Sequence, residues 1–196
     1  MLKSRSGFTL THNRPYTTCS SRYLWQSRWY NVRQDQLRAH DGSEMTYTVI
    51  EKTGAIWIVP VTPDEQIVLI DQYRYAVDEW CLEVPAGNVE PGIAPVVMAA
   101  RELSEEICGT AEKIVYITDF FTMNGIGNEI AQVFLALDVT LGEAHREATE
   151  HITLRAVPVD QAFQMARAGD IKDGPSALAI LLCEGAICKH VKEQHE

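Results

Sequence analysis

Positive charge is scarce in this sequence: 17 Lys and Arg stand against 27 Asp and Glu, a formal net charge of −10 over 196 residues. A nucleic-acid groove or an anionic membrane surface calls for a basic face, so neither is an expected partner. An anionic polyphosphate would be repelled as well, unless cations intervene. Paired cysteines are also lacking. Cys19, Cys81, Cys108, Cys183 and Cys188 are odd in number and form no Cys-x-x-Cys, which argues against a disulfide framework and for reduced thiols in a cytoplasmic protein. No apolar run reaches the ~18 residues of a membrane span, and the longest, Ala177 to Cys183, ends at Glu184 and reads as part of a packed helix. The start, Met1 to Phe8, has no continuous apolar core of a secretory leader. There is no glycine-rich Walker or dinucleotide pattern and no internal repeat. His40, His145 and His151 lack ligand-like spacing, and Ser104 lacks a nucleophile's context.

What is present is a concentration of acid. Arg101-Glu102-Leu103-Ser104-Glu105-Glu106 lies in a segment suited to a helix: Pro95 fits a first-turn position, Val96 to Leu103 are mostly helix-compatible, and Cys108-Gly109 offers a stop. At about 100° per residue, Val96, Ala100, Leu103 and Ile107 form an apolar stripe, and Glu102, Glu105 and Glu106 are expected on another face. Like-charged pairs three and four apart each cost a few tenths of a kcal/mol on an open helix. A divalent cation reverses that sign, and an all-oxygen ligand set suits Mg²⁺ or Mn²⁺. The alternative is an ordinary solvated acidic face.

Ahead of the helix stands Glu83-Val84-Pro85-Ala86-Gly87. Pro85 restricts the backbone and Gly87 permits a ligand to approach it, so the Ala86 carbonyl could face a metal; the same residues also suit a tight turn. Arg74 could clamp a phosphate with its planar fork or make an ordinary surface ion pair. Trp25, Trp29 and Tyr30 are dense for a segment with little core of its own, and fit either base stacking or packing in a dimer or core. Trp80 is expected in the core.

The coarse organisation is a loose polar arm over 1–20, a small antiparallel sheet over 21–55 and a main domain over 56–196. Asp41-Gly42 marks a hairpin between Val32–Leu37 and Met45–Ile50. Ala55–Val61, Ile67–Ile70, 113–119, 130–138 and 151–157 read as strands, and 95–108, 159–168 and 175–188 as helices. Strands on both sides of a central helix, with a helical end, fit an α/β/α sandwich with a mixed sheet.

Measured from Gly87, the spacing to Arg101-Glu102-Leu103-Ser104-Glu105-Glu106 resembles the Nudix box, Gly-x5-Glu-x7-Arg-Glu-U-x-Glu-Glu-x-Gly-U, where U is a bulky aliphatic. Gln72-Tyr73-Arg74-Tyr75, Leu82 to Gly87, Gly125-Ile126-Gly127-Asn128-Glu129 and Glu150-His151-Ile152-Thr153-Leu154 look like the ADP-ribose pyrophosphatase branch of that superfamily. The resemblance runs from about Tyr23 to Glu184 and implies the Nudix fold. It implies a Mg²⁺ site, with Mn²⁺ as substitute, made of Glu102, Glu105, Glu106 and the Ala86 carbonyl. It implies substrate contacts from Arg74, Glu83, Trp25, Trp29, Gly125 and Glu129, and a homodimer that exchanges the N-terminal sheet. A catalytic base is expected on the loop after the last long strand: Glu150 first, Glu147 next, with Glu105 of the box helix if neither serves.

Two positions depart from the pattern. Ile93 stands where the box has Glu, and the box Gly is displaced by one because Ile107-Cys108 precedes Gly109. In the resembled family that Glu braces the box Arg, so Arg101 is expected to be oriented differently here. The implied activity is hydrolysis of a nucleoside diphosphate sugar, foremost ADP-ribose to AMP and ribose 5-phosphate. ADP-glucose or GDP-mannose are alternative substrates. A domain without turnover, acting as a nucleotide sensor, is the alternative from another class.

Overall fold

A computed structural model of the chain describes residues 13–142 and 152–196. It divides into two compact units, one comprising the chain up to Lys52 together with Gly125–Asn128, the other Thr53–Asn124 with Glu129–Glu196.

The first unit is an antiparallel sheet in the order β1-β2-β3, from β1 (Tyr16–Gln26), β2 (Asn31–Ala39) and β3 (Glu44–Glu51). The arm expected over 1–20 therefore gives way to strand at Tyr16. The β2–β3 hairpin turns on Asp41-Gly42: the Ser43 backbone N–H and hydroxyl both donate to Asp41 Oδ1 (2.9 and 2.6 Å), and Gly42 takes φ +84°. Residues 125–128 run along β3, with Ile50 N–H donating to the Ile126 carbonyl (2.8 Å) and Tyr47 Oη to the Gly125 carbonyl (2.5 Å). Arg33 joins β2 to β3 by pairing with Asp35 and Glu51, and Asp35 is buried. Every residue of β1 is exposed.

The second unit holds a four-stranded sheet in the order β7-β4-β9-β8, built from β4 (Ala55–Pro60), β7 (Ala86–Asn88), β8 (Gly109–Phe121) and β9 (Ile130–Leu141). β4 and β9 are parallel and the other pairs antiparallel, so the sheet is mixed. An antiparallel sheet β10-β5-β6 comprises β5 (Gln66–Arg74), β6 (Glu79–Glu83) and β10 (Ile152–Pro158). The helices are α1 (Pro95–Ile107), α2 (Val159–Ala168) and α3 (Gly174–Gln194).

Side chains alternate across a strand, and the core follows that period. Ile56, Ile58, Val68, Ile70, Phe134 and Ala136 pack with Met98, Ala99, Leu103 and Ile107 of α1. Val59, Ile67, Leu69, Val133 and Leu135 face the other way, onto Ala162 and Phe163 of α2 and Ala179, Ile180, Cys183 and Ile187 of α3. Strands buried on both faces separate α1 from α2 and α3, which is the expected α/β/α sandwich. Each buried Ile or Leu stabilises it by roughly 1.5–3 kcal/mol.

Two sequence expectations need correction, the buried face of α1 and the place of Trp80. Val96 and Ala100 of α1 are exposed, and the buried positions are Met98, Ala99, Leu103 and Ile107. At about 100° per residue, Glu102 and Glu106 then fall between Met98 and Ala99 around the axis, inside the buried arc and not on an outer face. Helix α1 stops at the expected Cys108-Gly109 break: Cys108 takes the left-handed region at φ 51° and Gly109 begins β8. A Cβ on Gly109 would lie 3.1 Å from Ile107 and 3.2 Å from Val139, so that glycine serves close packing. Trp80 is 57% exposed, its ring edge-on to Tyr73. On the edge strand β6, its neighbours alternate with the buried Cys81 and Glu83, which places it on the open side.

Candidate active site

The segment Glu83 to Gly87 links β6 to β7 and is held from two sides. Val84 N–H donates to Ser176 Oγ (3.1 Å), and the Ser176 hydroxyl donates to Asp173 Oδ2 (2.5 Å). Asp173 is the N-cap of α3 and also accepts from Ser176 N–H at 2.9 Å, so one carboxylate satisfies the helix end and anchors the loop. On the other side, Ile58 N–H of β4 donates to the Pro85 carbonyl (2.9 Å), and β7 pairs with β4.

Helix α1 meets this loop through its two inward glutamates. Glu106 Oε2 accepts the Ala86 N–H at 3.0 Å. A Cβ placed on Gly87 would lie 2.2 Å from both Cδ and Oε1 of Glu102, so the Glu102 carboxylate occupies the space that any other residue at 87 would fill. A Cβ at this position would push the Glu102 side chain aside, while the Gly87 φ lies outside the left-handed region. The Glu102 side chain is only 14% exposed. Burial, and then the negative charge of Glu105, push its carboxyl above the usual glutamate range. Glu105 is 61% exposed, at the rim.

Arg101 lies beside these acids. It pairs with Glu90, stands 3.8 Å from Glu105 Oε1 and 4.0 Å from Glu102 Oε1, and its guanidinium is held charged, foremost by the Glu90 hydrogen bond. Arg74 makes a fork on Glu83: Nε donates to Oε1 at 2.7 Å and a terminal nitrogen to Oε2 at 2.5 Å. Glu83 is buried, and the pairing raises the Arg74 pKa against the opposing effect of burial. The Arg74 side chain is 47% exposed and its fork rests on a buried carboxylate. A cleft of about 370 Å³ opens in front of it, lined among others by Trp57, Arg74, Glu83, Ala86, Lys172 and Asp173. Lys172 reaches across to Glu79 (2.6 Å). Trp57, Glu79 and Lys172 were not anticipated; Lys172 sits in the short Gly169–Asp173 connection between helices, where no spacing marks it.

The structure thus brings Glu102, Glu106 and Ala86 together, and Arg74 with Glu83 beside Ala86 in one cleft. Glu129 is buried where β9 begins, its Oε2 accepting from Thr122 Oγ1 (2.8 Å). Trp25 is exposed on β1 and Trp29 in the β1–β2 connection, Trp29 under the Arg28 guanidinium, and Gly125 is tied to Tyr47. Glu147 and Glu150 lie outside the described residues.

Among the described residues, no group of three or more His, Cys, Asp or Glu side chains forms a metal cage by itself. Two inward carboxylates against a backbone loop, one of them destabilised as an anion, nevertheless form an all-oxygen set that a divalent cation fits, with the remaining ligands left to water and substrate. Fold and site together define an α/β/α sandwich with an acidic helix packed on a glycine-containing loop.

Comparison with known proteins agrees. The NUDIX domain model matches residues 51–177 and the nucleoside diphosphate sugar hydrolase N-terminal domain model residues 16–50. The chain belongs to the NUDIX domain family and is a Nudix hydrolase. It is 28% identical over 165 residues to an ADP-ribose pyrophosphatase of Bacillus subtilis (strain 168), covering 83% of this chain and 89% of that one. It is 31% identical over 170 residues to an ADP-ribose pyrophosphatase of Mycobacterium tuberculosis, covering 85% and 82%. A crystal structure of an ADP compounds hydrolase superposes with a TM-score of 0.79 at 18% identity, over 92% of this chain and 98% of that one, a likeness of fold. No helix among the described residues is long and apolar enough to cross a membrane.

Proposed function

We propose that this enzyme hydrolyses the diphosphate bond of ADP-ribose, releasing AMP and ribose 5-phosphate, with Mg²⁺ as its metal and Mn²⁺ as a substitute. The observation that carries the reading is the junction of α1 with the Ala86-Gly87 loop, where Glu106 engages the Ala86 N–H and Glu102 fills the space over Gly87. Burial disfavours the charged form of Glu102, and a divalent cation would favour it. Glu102 and Glu106 are the principal ligands in this account, completed by Glu105 and the Ala86 carbonyl. A bound divalent cation supplies charge neutralisation of the diphosphate and a lowered pKa for the attacking water.

The protein's own groups do the rest. Arg74, pre-oriented by the buried Glu83, presents its remaining N–H groups to phosphate oxygens at the cleft. Glu150 takes the proton of the attacking water, with Glu147 and then Glu105 as the next candidates. Trp25 and Trp29 stack the adenine, and Gly125 and Glu129 are kept as further substrate-binding residues. The exposed aromatic sheet is buried in a homodimer, a reading supported by the individual exposure of Tyr16, Tyr23, Leu24, Trp25, Trp29 and Tyr30. The relatives named ADP-ribose pyrophosphatase support the choice of sugar nucleotide, and the free cysteines support a cytoplasmic location.

Product analysis over ADP-ribose, ADP-glucose and GDP-mannose with Mg²⁺ tests the reading. It predicts AMP and ribose 5-phosphate, with ADP-ribose preferred. Preference for another sugar nucleotide would overturn the substrate, and absence of turnover on every member would favour a nucleotide sensor.

A further inference from the structure

The glutamate that the box pattern places at 93 is absent, yet Arg101 is braced. Glu90 pairs with it from three residues upstream. The intervening backbone explains how. Ile93 N–H donates to the Glu90 carbonyl at 3.3 Å, Pro91 and Gly92 occupy the central positions, and Gly92 takes φ +86°. Proline followed by a positive-φ glycine between hydrogen-bonded ends is a type II turn, whose first and last Cα atoms lie within ~7 Å. Positions 90 and 93 therefore stand side by side over α1, and a carboxylate on either end can reach one guanidinium. The Glu90 backbone is fixed in turn, its N–H directed at Met98 Sδ (3.2 Å), and Met98 is fully buried. Ile93, relieved of the polar role, is half-buried against the cluster that contains Met98 and Leu103.

We propose that Glu90 is the positioning residue for Arg101 in this enzyme, the brace having moved across the turn while Ile93 took a packing role. The consequence is specific to the acids beyond it. Tethered to Glu90, the Arg101 guanidinium stays 4.0 Å from Glu102 Oε1, near enough to offset charge but without a hydrogen bond. Released, it can close on Glu102 and compete with a cation for the same oxygens. The inference rests on the metal assignment proposed above.

The test is Mn²⁺ alone, titrated into the full-length protein without substrate, alongside steady-state kinetics with ADP-ribose. Partners of this kind typically set 10–100-fold in metal affinity or activity, so Glu90→Gln is expected to weaken Mn²⁺ binding and lower kcat by about 10-fold or more, with KM for ADP-ribose nearly unchanged. Ile93→Glu alone leaves both near wild type, and Ile93→Glu added to Glu90→Gln restores both, which a merely structural role for Glu90 would not allow. Circular dichroism confirms that each variant is folded. Unchanged Mn²⁺ binding in Glu90→Gln, or failure of Ile93→Glu to restore it, would overturn the proposal. Because the Mn²⁺ readout needs no substrate, a wrong sugar nucleotide leaves it decisive. A wild-type protein that takes up no Mn²⁺ defeats the metal assignment and this proposal with it.

Discussion

Two regions of this molecule invert the ordinary rule of polar outside and apolar inside, in opposite senses. At the α1 junction, carboxylates are turned inward against backbone, Glu102 with its charged form disfavoured. On the N-terminal sheet, aromatic side chains are turned outward, with Trp25 60% and Trp29 59% exposed. Burying an acid disfavours its charged form and exposing a ring leaves apolar surface in water, so both arrangements are unfavourable. In the proposed reading, the inward acids bind a small cation. The outward rings meet, in the same reading, a second copy of the chain or a base. The difference shows up in what substitution should do: changes at the junction act on turnover, and changes on the sheet act on assembly and KM.

Glu106→Gln gives the largest expected effect. It keeps the shape and the bond from Ala86 N–H while removing the charge, and should lower kcat on ADP-ribose at least ~10²-fold, equivalent to roughly 2.7 kcal/mol of transition-state stabilisation. Steady-state kinetics at saturating Mg²⁺ measures it, and wild-type turnover would make the junction a structural feature only. Next comes the base. Glu150→Gln should lower kcat by about 10-fold or more, with Glu147→Gln as the companion measurement; if neither falls, Glu105 at the rim of α1 takes the role.

The sheet is tested by Trp29→Ala, which should raise KM several-fold while changing kcat less, and by the solution mass at micromolar concentration. A dimer is expected, and a monomer with unchanged KM would reduce the exposed rings to surface.

The smallest effect concerns Glu102. Its carboxyl is raised in the folded protein, so the folded state holds that proton more tightly than the unfolded chain does. Metal-free stability should therefore decline as pH rises from the ordinary glutamate range through the raised value. Glu102→Gln, neutral throughout, removes that part of the decline and should raise the metal-free Tm at pH 7 by about 1 °C, consistent with a few tenths of a kcal/mol of relieved repulsion. Denaturation scans at pH 5 and pH 7 without metal read it directly, and a lower Tm at pH 7 would contradict it.

Much of this was legible in the sequence because the relevant signals are local. Proline at the start and the Cys108-Gly109 break placed α1 within a residue, an apolar β-rich run placed β4, and Asp41-Gly42 placed the β2–β3 hairpin. What was not legible depended on tertiary placement. A helical wheel treats every position alike, but Val96 lies in the first turn and is left outside the core, which moved the buried arc onto Glu102 and Glu106. Trp80 was expected in the core because it stands next to the Glu83–Gly87 loop, whereas on the edge strand β6 it is 57% exposed. Ile93 was seen as a loss at the site because the compensating Glu90 becomes its neighbour only once the Pro91-Gly92 turn has formed. Lys172 and Trp57 meet across a cleft that no local pattern encodes.

The central claim is that the α1 junction is a divalent-cation site, and Mn²⁺ titration followed by electron paramagnetic resonance tests it most directly. The wild-type protein should remove Mn²⁺ from the free-ion signal stoichiometrically, and Glu102→Gln/Glu106→Gln should leave that signal at its protein-free level while remaining folded. Equal Mn²⁺ uptake by both proteins would contradict the account.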